Sequence, residues 1–81
     1  MIDYDVEVVH TYLRSELAGA IRRVNARHRA AGRPDLAGLD RCWRRLIRDL
    51  QQAQQVGDGR AQRSAIQKWE RDAIDVIGRA P

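Results

Sequence analysis

Apolar residues recur at helical spacing in three successive stretches of the chain. In the first, Val6, Val9, Leu13, Leu17, Ile21, Val24 and His28 fall on one stripe; in the second, Leu36, Leu39, Trp43, Leu46, Leu50 and Ala53 do, with Ile47 beside them. The third stripe runs Ala65, Ile66, Trp69, Ala73, Val76 and Ile77. Spacings of three and four residues put such positions on one side of an α-helix, so each stretch predicts a helix with one face to bury. Two turn signals separate them. In Gly32-Arg33-Pro34-Asp35 the glycine suits a left-handed stop, Pro34 cannot continue the first helix, and Asp35 can accept from the free N–H groups of the next. Gly57-Asp58-Gly59 repeats the stop followed by an N-cap residue. The pattern predicts helices over about 5–31, 35–56 and 59–79 of the 81 residues. Short connections favour neighbouring antiparallel helices. The expected fold is all-α, a three-helix antiparallel (up-down-up) bundle forming one domain over residues 1–81.

Folding the helices about these turns puts Trp43 level with Ala73 and Val24, and Trp69 level with Leu46 and Leu17, so that a large residue faces a small one in at least one layer. Both tryptophans are expected in the core. The run Ala18-Gly19-Ala20 would let another helix approach closely. Two places leave the pattern open. Residues 2–9 alternate apolar and acidic, which suits a short N-terminal strand or extended segment. The same residues also fit a helix capped by Asp5 with a Tyr4–Val9 staple, and the helix is preferred because a lone strand has no partner in the chain. Ser64-Ala65-Ile66-Gln67 is a capping-box pattern, so the third helix has an alternative start there, with residues 57–63 as a loop.

Size narrows the picture. One hydrophobic core in a chain of this length supplies only about 3–5 kcal/mol, so small domains lean on disulfides, metals or a partner. Cys42 is the only cysteine, which rules out an internal disulfide and suits a reducing, cytoplasmic setting. No apolar run approaches a membrane span, and the acidic start Met1-Ile2-Asp3-Tyr4-Asp5 does not resemble a signal peptide. Lys68 is the one lysine among 15 basic residues, alanine is abundant and phenylalanine absent. That usage is expected of GC-rich codons and points to a bacterium or bacteriophage.

Motifs for catalysis or cofactor binding do not emerge. The six glycines form neither GxGxxG nor GxxxxGK[ST]. His10 and His28 share a stripe but lie 18 residues apart, about 27 Å along a helix, too far to share an ion. His28 and Cys42 alone do not close a zinc site. Ser15, Ser64 and Cys42 have no oriented base in their sequence context. The expectation is a non-enzymatic protein with no cofactor, no metal and no small-molecule substrate.

Charge is the one feature beyond a plain bundle. Residues 22–48 hold nine arginines against Asp35 and Asp40, a net of +7, while the rest of the chain brings the total down to +4. A helical hairpin gathers these charges toward one end. Arg22, Arg23, Arg29, Arg41, Arg44, Arg45 and Arg48 are the candidate residues for binding an anionic partner. Arg44 has Asp40 and Arg45 has Asp49 four residues away, whereas Arg22, Arg23, Arg27, Arg29, Arg41 and Arg48 have no acid at three or four residues. Helix 3 offers Asp72 and Asp75, and a parallel register puts Asp75 at the level of Arg23. The function expected from this pattern is a small protein-protein interaction module: an adaptor, inhibitor or assembly factor, phage or mobile-element encoded, working as a homodimer. The competing expectation is a nucleic-acid-binding accessory protein whose arginine-rich corner contacts phosphates.

Overall fold

A computed structural model describes residues 14–32 and 35–79, with the side chains of all but Arg14. They form three helices: α1 (Arg14–Ala30), α2 (Leu36–Gln55) and α3 (Gly59–Arg79), with no strand among the described residues. The helices make an elongated up-down-up bundle, 39 × 17 × 17 Å. The choice between helix and strand for residues 2–9 lies outside the described residues, as do Val6, Val9, Leu13 and His10.

Helix ends form where the turn chemistry places them. Gly57 adopts φ 68°, and its N–H donates to the Gln54 carbonyl at 3.1 Å while the Asp58 N–H donates to the Ala53 carbonyl at 3.0 Å. This paired closure satisfies two carbonyls at the end of α2. Asp58 then caps the next helix, its carboxylate accepting from the Ala61 N–H at 3.0 Å. Helix α3 consequently begins at Gly59 and includes residues 59–63, so the alternative start at Ser64 is not used. At the other turn Gly32 is left-handed at φ 66°, and Asp35 caps α2 by accepting from the Gly38 N–H at 2.9 Å.

The core is the meeting of the three stripes. Leu17, Ala20 and Val24 from α1, Leu39, Trp43, Leu46 and Leu50 from α2, and Ile66, Trp69, Ala73 and Ile77 from α3 form one buried cluster. Helix α3 is central: it packs along both α2 and α1, whereas the α1 and α2 backbones barely meet. Ala20 is fully buried in the cluster, whereas a Cβ at the neighbouring Gly19 would meet only the Arg22 and Arg23 side chains of its own helix, so no other helix approaches closely at that position. Both tryptophans are buried in the core, as predicted, and their rings meet edge to face, 5.4 Å between centroids at 70°, a favoured aromatic geometry. Leu36 departs from its stripe. At the first turn of α2 it is 53% exposed and contributes little to the stripe that predicted it.

Candidate functional site

Antiparallel packing brings the C-terminal half of α1, the N-terminal half of α2 and the C-terminal half of α3 to the same end of the bundle. Arg23, Arg27 and Arg29 arrive from α1 and Arg41, Arg44 and Arg45 from α2, with Arg22 and Arg48 near the middle of their helices, and all are exposed. Arg33 lies outside the described residues. Acids converge on the same end, and they sort the arginines into two groups.

Arg23 belongs to the committed group. Its Nε and a terminal nitrogen donate to the two oxygens of Glu70 at 2.7 and 2.8 Å, a two-pronged bridge from α1 to α3. The predicted approach of Asp75 to Arg23 does not occur, because the register sets Glu70 there and Asp75 turns to Arg79 on its own helix at 2.9 Å. The hydrogen bonds from Arg23 hold the Glu70 carboxyl below its ordinary range, against an opposing push from burial. Arg44 is held by Asp40 at 2.8 Å one turn back. Arg45 pairs with Asp72 of α3 at 3.7 Å instead of Asp49, which lies 3.9 Å from Arg48. Arg63 and Glu16 add a further α3–α1 pair at 3.8 Å.

Arg22, Arg27, Arg29 and Arg41 have no ion-pair partner among the described residues, and on α3 the same is true of the exposed Arg60, Lys68 and Arg71. No described acid is left over to neutralise them: Glu16, Asp40, Asp49, Glu70, Asp72 and Asp75 are all in ion pairs. The two remaining described acids, Asp35 and Asp58, cap helices. The positive surplus of this end is therefore carried by named, exposed guanidiniums.

Between α2 and α3 the same end contains a groove of about 240 Å³, bordered by Arg41, Arg45, Arg79, Asp72, Asp75 and Cys42. Arg79 is a member that the sequence pattern does not reveal. It sits 31 residues beyond the arginine-rich stretch, and only the helix register brings it beside Arg41 and Arg45. Cys42 is partly buried. Burial and the nearby Asp72 push its thiol upward, with Arg45, Arg41 and Arg79 pulling the other way.

Gly38 makes room at the foot of this groove. A Cβ there would meet the Asp35 Oδ2 at 2.6 Å and the Val76 Cγ1 at 3.0 Å. On α1, His28 is a half-buried side chain whose buried Nε2 has no hydrogen-bond partner. Among the described residues no group of three His, Cys, Asp or Glu side chains is placed to hold a metal ion, and no helix is long and apolar enough to cross a membrane.

No protein-family model, curated protein or solved structure matches this chain. The meaning of its arginine-bearing end rests on its own geometry.

Proposed function

We propose that the protein is a non-enzymatic interaction module, an adaptor, inhibitor or assembly factor that engages an acidic surface of a partner protein through the arginine-bearing end. One observation carries this reading. All the described acids are committed within the chain, while Arg22, Arg27, Arg29 and Arg41 remain exposed without an ion pair among the described residues. Arginine suits such contacts because its planar fork can bind a carboxylate in two-pronged fashion, and it is enriched at protein interfaces. The small core and the lack of an internal disulfide support a homodimer as the working form, and the single cysteine and an amino-acid usage of the kind that GC-rich codons give support a cytoplasmic protein of bacterial or phage origin. The test is capture from bacterial lysate with the wild type beside an Arg22→Glu, Arg29→Glu, Arg41→Glu variant. These side chains make no ion pair with a described residue; the variant, its fold checked by circular dichroism, is expected to lose the captured protein. Equal capture by both proteins would refute the reading.

A second reading, nucleic-acid binding, is favoured by the surface of α2. From Arg41 to Gln55 every exposed residue of that helix is an arginine or a glutamine. Protein interfaces usually centre on an apolar or aromatic anchor, and this face has none. Phosphate contact needs no such anchor. Titration against nucleic acid at low and high salt tests this reading, with binding expected only at low salt.

A further inference from the structure

We infer that the nucleic acid suited to this protein is a DNA duplex, gripped by the outer face of α2 lying along a groove; the inference rests on the nucleic-acid reading above. At 100° per residue, Arg41 and Arg48 fall on the crest of α2 opposite its buried stripe of Leu39, Trp43, Leu46 and Leu50, while Arg44 and Arg45 fall to either side of that crest. A helix laid in a groove has a phosphate chain on each side of it. A crest of charge with one flanking arginine on each side matches that geometry, whereas a flat acidic surface would use only the crest.

The face continues through Gln51, Gln52 and Gln55, all exposed. Arg41 to Gln55 spans about 21 Å at the helical rise. Glutamine can pair with the edge of adenine, and arginine with guanine or with phosphate. The major groove of B-form DNA, about 12 Å wide, admits a helix, whereas the major groove of duplex RNA is too narrow and deep. Asp40 holds Arg44 by its Nε at 2.8 Å but leaves that side chain 78% exposed, whereas the pairs that Asp49 and Asp72 make with Arg48 and Arg45 are long, at 3.9 and 3.7 Å, and those two arginines remain 74% and 49% exposed. They are therefore open to exchange an aspartate for a phosphate.

Among the described residues the aromatic rings give single strands nothing to stack on. Proteins that hold single-stranded nucleic acid stack bases on exposed aromatics. Trp43 and Trp69 are buried and occupied with each other, and no aromatic ring is exposed among the described residues.

The experiment compares duplex DNA, duplex RNA and single-stranded DNA of equal length, each titrated across a salt series with the wild type, Arg41→Gln/Arg48→Gln and Arg22→Gln/Arg29→Gln. Circular dichroism confirms that both variants keep the fold. Duplex DNA is expected to bind most tightly, and the α2 variant is expected to flatten the log–log salt dependence by about 1.8, at about 0.9 for each phosphate no longer neutralised. The α1 variant should change that slope less. Tighter or equal binding of single strands or duplex RNA would overturn the inference while leaving the nucleic-acid reading in place. So would a slope that responds to the α1 variant and not to the α2 variant. Absence of binding to all three at low salt would overturn both.

Discussion

Arg23 and Glu70 form a two-pronged bridge between α1 and α3, with contacts of 2.7 and 2.8 Å. In sequence Arg23 is one of a run of unneutralised cations; in the bundle it is a structural tie. That relationship occupies its donors within the bundle, although the side chain is still exposed, and it makes the stability of the α1–α3 contact sensitive to acid. The Glu70 carboxyl in the folded protein titrates below its ordinary range. Its contribution is therefore complete above the unfolded carboxylate's range, about pH 4.3, and is lost as pH falls through the lower folded value. Glu70→Gln is expected to flatten that part of a stability-versus-pH profile measured by denaturant unfolding. A profile with the same acid limb in wild type and variant would refute this assignment.

The edge-to-face pair of Trp43 and Trp69 joins α2 to α3 in the centre of the core. Truncating either ring leaves a cavity in a chain with few other large side chains. Trp69→Ala is expected to cost about 3–5 kcal/mol, comparable to what one small core supplies. The variant should therefore be largely unfolded at room temperature by circular dichroism.

Two glycines should respond to alanine in opposite directions. Gly57 is left-handed at φ 68° and closes the end of α2. Gly57→Ala meets no steric obstacle, but its backbone strain should cost about 1–2 kcal/mol. Gly78 lies within α3 and a Cβ there also meets open space. Gly78→Ala should stabilise the protein by up to about 0.5–1 kcal/mol. Thermal unfolding of the two variants separates the cases.

The cap on α2 and the small residue beneath it should behave as a unit. Asp35→Ala removes the acceptor for the Gly38 N–H and is expected to cost about 1 kcal/mol. Gly38→Ala drives a methyl against the Asp35 carboxylate and Val76, displacing the same cap. The destabilisation of the double variant, read from denaturant unfolding, should therefore be smaller than the sum of the two single effects.

Cys42 should be a slow nucleophile near neutral pH despite three arginines around its groove. Burial is the first cause of its raised titration and Asp72 the second. Alkylation followed against pH should show little reaction at pH 7, and Asp72→Asn should raise the rate only in part, because burial remains. A wild-type thiol that reacts as fast as a free cysteine would contradict this.

The three apolar stripes and the Gly and Asp residues at the turns were enough to specify three antiparallel helices, because hydrophobic periodicity and capping are short-range and can be read within a few residues. Asp35, Gly57 and Asp58 act through neighbours three to five residues away. The net charge and its concentration between residues 22 and 48 were equally legible. Which arginines stay available was not. Glu70 lies 47 residues from Arg23 and Asp72 lies 27 from Arg45, and local spacing carries no signal for such pairs. They depend on the axial register of α3 against its neighbours, which the packing of the buried core fixes. The sequence by itself determined a helical bundle with a basic end. Only the tertiary structure decided that Arg23 ties helices together, that Arg79 joins the basic end, and that Arg22, Arg27, Arg29 and Arg41 are left without an ion pair among the described residues, since side-chain packing sets which charges come within reach.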